Sequence, residues 1–323
     1  MLQGLVVRAN RLLDTLQDSL GRGRLNVPSP ELLDTPSVGH SYESLKKVIL
    51  PDQVSRTLFQ EYTEHRASER REEETGWELL GLREADHAVV LATLPAGARR
   101  DAGVAHVRFN TDAQALAVRI LRQMDKRLMM LGVVHTHPGS LRHPSDGDYQ
   151  GDSAWVGRLR GGQGIFGIGT SDGPNNADGS VAHQPRSHVQ TLGRLVFSWY
   201  VLGQGDRKYR PLPVQLTLGP DLALPLHAIW PLIEEYAEPL NRLCRQLASY
   251  SFSVVPGRSG SALAVMFKLA EPGETLRVVL DDGMAAYYLQ RGSEFMAVDA
   301  PAPELDRACY LILAELAARD KMR

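Results

Sequence analysis

Apolar and polar positions divide the chain into three stretches of different texture. Residues 3–18 (QGLVVRANRLLDTLQD) repeat apolar side chains at helical spacing; Gly21, Gly23 and the proline-rich run up to residue 44 then read as turn and linker. From residue 45 short apolar runs alternate with amphipathic ones. KKVIL predicts a strand, and Pro51 opens a helix with Val54, Leu58, Phe59 and Tyr62 on its apolar side. TGWELLGLR predicts a strand that turns as a hairpin into HAVVLATLPAG, and Gly76 and Gly81 mark close backbone approach or a bulge. AHVRFN (105–110) predicts another strand. DAQALAVRILRQMDKRL is the clearest helix, capped by Thr111 or Asp112, with Leu116, Val118, Ile120, Leu121 and Met124 as its apolar surface. LMMLGVVHTH predicts a strand, Pro138-Gly139 a turn, and a second helix starts near Ser145. GQGIFGIGTS and RLVFSWYVL are further strands, the latter continued by RPLPVQLTL, whereas SDGPNNADGSVAHQPRSH reads as a polar, turn-rich stretch.

Beyond residue 215 a helical run carries Pro231 and Pro239, which should kink it or cut it. Strand-like runs follow at 251–255, 262–269, 275–280, 285–290 and 294–298, then a terminal helix with Pro303 at its first turn. The pattern therefore predicts an α/β fold of mixed α+β character. Its parts are an N-terminal helical arm and linker (1–44), a compact domain (45–215) and a small α+β domain of unassigned role (216–323). The arm either packs on the body or binds a partner.

Composition narrows the class. A chain of 323 residues with 43% hydrophobic and 23% charged side chains can bury two cores. A formal net charge of -2 gives no reason to expect nucleic acid as a partner. With no apolar run of membrane length, neither a membrane span nor membrane association is expected, and the location expected is cytoplasmic. Cys244 and Cys309 sit in apolar helical patterns and read as buried thiols.

The chemistry concentrates around VVHTHPGSLRHPSDGD. Histidines two apart on a strand, His135 and His137, point to one face. A carboxylate beyond the turn, Asp148, can close a three-ligand site on them. Two histidines, an aspartate and one open position make the inventory of a catalytic zinc site. Such a site needs a base that stays off the metal, and Glu74 opens a strand able to run beside the histidine strand. Each piece also has a plain reading. Strand histidines can be surface residues, Ser145 and Asp148 can be only a helix capping box, and Arg66–Glu73 can be a solvated face, with Glu72 and Glu73 weak competitors of Glu74.

Taken together, Glu74-Thr-Gly-Trp-Glu-Leu-Leu-Gly81, His135-Thr-His137-Pro138 and Ser145-Asp-Gly-Asp148 resemble the signature of the JAMM (MPN-plus) metalloproteases, which include prokaryotic JAB proteins. The resemblance covers roughly residues 45–205. It implies a three-layer domain around a curved mixed sheet, one catalytic Zn2+ on His135, His137 and Asp148, Glu74 as acid/base, and a Ser145 hydroxyl supporting the tetrahedral oxyanion. It further implies an isopeptidase or peptidase that cleaves after the C-terminal glycine of a ubiquitin-like protein. The partners would be that protein or its conjugates and E1-like and E2-like proteins, as in bacterial conjugation (antiphage) systems. Processing of a sulfur-carrier protein and a non-catalytic scaffold are the alternatives, and the complete motif argues against the scaffold. Two residues depart from the family pattern. Trp77 either lines the substrate groove or packs behind the sheet, and Glu78 is expected at a solvated position beyond the site. His143 is expected at the groove rim. Segment 172–190 is a candidate groove wall, and its His183 and His188 either touch substrate or lie on the surface.

Overall fold

The computed structural model describes residues 41–173, 182–247, 249–258, 260–269 and 273–320. The helix expected over residues 3–18, and residues 174–181 of the expected groove wall, lie outside the described residues.

Strand β1 (Lys47–Pro51) passes directly into helix α1 (Asp52–Ala67) at Pro51, a residue with no N–H to leave orphaned at a helix start. Val54, Leu58, Phe59 and Tyr62 are buried, as their spacing predicts. β2 (Gly76–Arg83) and β3 (His87–Pro95) form the expected hairpin. A Cβ on Gly81 would lie 1.9 Å from the Val89 carbonyl oxygen, and one on Gly76 would lie 2.7 Å from that of Val134. Both positions therefore need glycine for close backbone approach, and the ladder shifts register beside Gly81.

The strand expected over 105–110 is shorter. β4 (Asp101–Gly103) pairs with β5 (His106–Arg108) in a two-stranded hairpin of their own. Helix α2 (Thr111–Met124) is capped by Asn110, not by Thr111 or Asp112. The Asn110 side chain accepts from the Ala113 N–H at 3.2 Å, while the two predicted caps already lie in the first turn. Met124, the last residue of the helix, is 63% exposed and adds nothing to its apolar face.

β6 (Met129–Thr136) runs antiparallel to β2 and parallel to β7 (Gln163–Thr170). Parallel neighbours require a crossover, which helix α3 (Asp146–Ser153) and two short 3-10 turns supply. The polar stretch after β7 holds one strand that alternation did not reveal, β8 (His183–Arg186), and a second, β9 (Val189–Leu192), follows it. β8 is exposed at every residue and contains Pro185, so it carries no apolar signature. β10 (Leu195–Gly203) lies between β7 and β9 and also pairs with β11 (Arg210–Pro211). β12 (Val214–Thr217) crosses to the opposite edge, giving a curved mixed sheet in the order β12-β1-β3-β2-β6-β7-β10-β9-β8.

The two faces of this sheet carry separate cores. On one, α1 covers Trp77, Leu79, Phe197 and Trp199. On the other, Leu80, Leu94, Met130 and Phe166 meet α2, and this core continues into the C-terminal region. The helical run there forms α4 (Leu224–His227) and α5 (Trp230–Gln246). The break falls before Trp230, Pro231 sits in the first turn of α5, and Pro239 is carried inside it. All five expected strands are present as an antiparallel meander: β13 (Tyr250–Pro256), β14 (Ser261–Lys268), β15 (Glu274–Asp281), β16 (Met284–Arg291) and β17 (Glu294–Val298). Helix α6 (Leu305–Asp320) begins after Pro303 instead of including it. Among the described residues no helix is long and apolar enough to cross a membrane.

Candidate metal centre

The histidines are gripped from both sides by neighbouring strands. His135 stands opposite Gly76 of β2 and Ile168 of β7. Thr136 donates its N–H to the Thr75 carbonyl at 2.9 Å, its hydroxyl accepts from the Thr75 N–H at 3.0 Å, and the His137 N–H reaches the Gly169 carbonyl at 2.8 Å. Nδ1 of His137 lies 2.7 Å from the Leu141 carbonyl oxygen. Donation there fixes the tautomer and leaves the Nε2 lone pair facing the site as a metal ligand.

Three donor atoms converge. Nε2 of His135 and Nε2 of His137 are 3.1 Å apart. The first lies 3.2 Å from Asp148 Oδ1, and the second 3.4 Å from Asp148 Oδ2. Ligands at about 2.0–2.1 Å around a tetrahedral zinc ion stand roughly 3.3 Å from one another, so this N, N, O set has the spacing of a three-ligand tetrahedral site with one position open. It is a group of three potential metal ligands with all donor atoms within 4.8 Å. Burial alone would raise the Asp148 carboxyl, yet hydrogen bonds with His135 and His137 hold it far below the usual carboxylate range. For His135 burial works downward and Asp148 outweighs it, leaving the imidazole raised.

Ser145 serves this carboxylate. Its N–H and hydroxyl donate to Asp148 Oδ2 at 2.6 and 2.8 Å, and the Asp148 N–H donates back to Oγ at 3.2 Å. The capping box is therefore real. It also orients a ligand, so the plain and the chemical readings coincide in one pair.

Glu74 enters from the loop before β2 and is 5% exposed. Its N–H donates to the Gly103 carbonyl at 2.7 Å, and its own carbonyl accepts from Arg100 Nε at 3.3 Å. Burial pushes its carboxyl up, against the opposing pull of His135 and His137. A raised carboxyl suits a group that must take a proton and return it near neutral pH. Glu73 and Glu72 instead form ion pairs with Arg70 and Arg71.

Glu74, His135 and Asp148 border a pocket of about 320 Å³ shared with Glu78, Asp152, Phe109, Val133 and Trp155. Here one expectation fails. Glu78 is not solvated: it is buried in this pocket, and burial pushes its carboxyl up to about 8. Strand alternation placed it on the face of Glu74, but nothing local revealed that the β4–β5 hairpin and α3 would roof that face. Asp152 was missed altogether. It accepts from the Tyr209 hydroxyl at 2.7 Å, and burial pushes it up to about 7. Its spacing of four from Asp148 on α3 puts both on one helix face, a signal that was available.

The groove residues divide. Trp77 does not line a groove; it packs behind the sheet at 1% exposure beside Phe197 and donates Nε1–H to Glu61. His143, His183 and His188 come together around a second cleft of about 640 Å³ with Arg142, Arg186 and Tyr200. It adjoins the metal centre through Leu141, which holds His137, and Arg142, which follows it.

Residues 55–184 match the family model of prokaryotic homologs of the JAB domain. All five motif residues fall inside that span. This part of the chain is thus a JAMM/MPN-type domain, and with its His-His-Asp cluster the protein is an enzyme of the zinc-metalloprotease class. No curated protein matches the chain. Among solved structures, protein DSY2949 from Desulfitobacterium hafniense is similar at 17% identity and a TM-score of 0.37, over 54% of this chain and 94% of that one.

Proposed function

We propose that the protein is a zinc-dependent peptidase or isopeptidase that cleaves after the C-terminal glycine of a ubiquitin-like protein, in company with E1-like and E2-like enzymes. The observation that carries this reading is the convergence of His135, His137 and Asp148 beside a buried Glu74 within a JAMM-type domain. His135, His137 and Asp148 would hold the ion, and zinc bound there would polarise a carbonyl and acidify a water molecule. Glu74 takes one proton from the attacking water. As the new C–O bond forms and the C–N bond breaks, Glu74 passes that proton to the departing amine. The Ser145 N–H keeps Asp148 in place, and the Ser145 hydroxyl, which donates to Asp148 in the free protein, would turn to support the oxyanion.

An extended glycine tail suits a cleft bordered by a sheet edge. β8 is the terminal strand of the sheet, its four residues are exposed, and it flanks the cleft of His143, His183 and His188. The scaffold alternative has no support from a complete ligand set.

The test uses the zinc-loaded protein and a ubiquitin-like protein fused through its terminal glycine to a reporter. Glu74→Gln should lower cleavage by about 10²–10⁴-fold, the usual contribution of a general base, with metal content unchanged. His135→Ala should lose the metal itself. Full cleavage by the Gln variant would remove Glu74 from the mechanism, and intact wild-type protein that leaves every such fusion uncut would remove the substrate class.

A further inference from the structure

Glu78 is an anomaly that the reaction above does not use. Its Oε2 is fully buried, and among the described residues it has no hydrogen-bond partner. The side chain is 4% exposed yet borders the pocket at the metal centre. Buried carboxyls are costly unless paired, and an orphan in a native site calls for an occupant. The pocket's apolar lining is Val107, Phe109, Met130, Val133 and Trp155, with Thr111, Gln150 and Asp152 among its polar residues. The pocket's own basic residues do not serve it, because His106 and Arg108 both lie against Asp101, at 3.4 and 3.5 Å. At about 320 Å³ the space is at the small end of ligand pockets. It suits one long side chain with an aliphatic stem and a polar tip.

We propose that Glu78 is the specificity-determining residue of a leaving-group pocket, which takes a lysine-class side chain from the residue following the scissile bond of a peptide-linked substrate. The assignment to that side rests on the proposed cleavage after glycine. A glycine on the acyl side has no side chain to offer, so a side chain adjacent to the scissile bond comes from its other side. The stem of a lysine covers the apolar walls, and its ammonium supplies the donor that Oε2 lacks. Burial pushes the free Glu78 carboxyl upward, and an ammonium at Oε2 favours its ionised form.

The experiment compares two quenched fluorogenic peptides on the full-length zinc-loaded protein, with Gly-Gly followed by lysine or by norleucine, which keeps the four-carbon stem and lacks the ammonium. The kcat/KM ratio of lysine to norleucine should be about tenfold in the wild type, the worth of one charge-assisted hydrogen bond, and should fall to near unity in Glu78→Gln and in Glu78→Leu. Metal content and circular dichroism establish that both variants are folded. A wild-type ratio near unity, or one that survives both substitutions, overturns the proposal. Calorimetric binding of lysine amide separates this idea from the reaction itself. If neither peptide is cut but lysine amide binds the wild type and not Glu78→Gln, the pocket stands and the glycine-specific cleavage fails. Equal binding to both proteins, or none to either, overturns the pocket.

Discussion

On one face of β2, Trp77 and Leu79 lie among Phe59, Tyr62 and Phe197, closed over by α1. On the other, Glu78 shares a cavity with Glu74, His135, Asp148 and Asp152. On the first face the Trp77 indole is matched. Trp77 Nε1–H meets the Glu61 carboxylate, whose second oxygen meets His227, and Nε2 of His227 lies 2.6 Å from the Thr93 carbonyl oxygen. On the second face a carboxyl oxygen is left without a partner. A buried indole thus finds its partner on the side that holds the sheet together, and a buried carboxyl finds none on the side that does chemistry.

The contrast can be broken from either side. Trp77→Ala, which removes one of the two largest fully buried side chains of the packed face, should destabilise the fold by about 3–5 kcal/mol in urea unfolding, through lost burial and a cavity. A loss below about 1 kcal/mol would mean that this face is not the structural one. Glu78→Gln should act in the opposite direction and only with pH. The folded carboxyl is raised to about 8 from an unfolded value near 4.5, so the native state keeps a proton that the unfolded chain releases. Wild-type stability therefore falls as pH rises from about 4.5 to about 8, by at most about 1.4 kcal/mol per pH unit, and the variant should escape that slope. Parallel pH profiles for the two proteins would contradict a buried, unpaired Glu78.

The smallest effect belongs to the Glu61–His227 pair. Burial lowers His227, but the Glu61 hydrogen bond outweighs it and the imidazole is raised. Stabilisation from this pair is complete below about pH 6.5 and is lost as pH climbs through the higher folded value. Glu61→Gln should cost roughly 1 kcal/mol on the acid side, shrinking toward alkaline pH. A constant deficit at every pH would assign Glu61 to Trp77 alone.

The sequence made the metal centre legible because its parts are local patterns: a strand that ends in His-Thr-His, a helix start that presents Ser145 and Asp148, and a strand entered from Glu74. Most helices and strands were legible for the same reason, including all five strands of the C-terminal meander. What stayed hidden depends on which elements meet. Alternation put Glu78 on the correct face of β2 but could not say that a hairpin of three-residue strands would cover it. β8 lacked an apolar period because it is solvated on both sides. Asn110 took the capping role from its neighbours through one backbone residue's conformation, a detail below the resolution of composition.

The pairing of β12 with β1 has a consequence for the order in which the molecule assembles. Lys47 and Gln215, which meet across that pairing, are 168 residues apart in the chain, whereas β2 finds β6, and β6 finds β7, over much shorter loops. Closing a long loop costs more entropy, and distant pairings form more slowly. During synthesis every residue of the metal centre has been made before β12 exists. Until then β1 is an open edge, available to any strand that comes first. The catalytic half of the sheet can thus form early, with its rim sealed last.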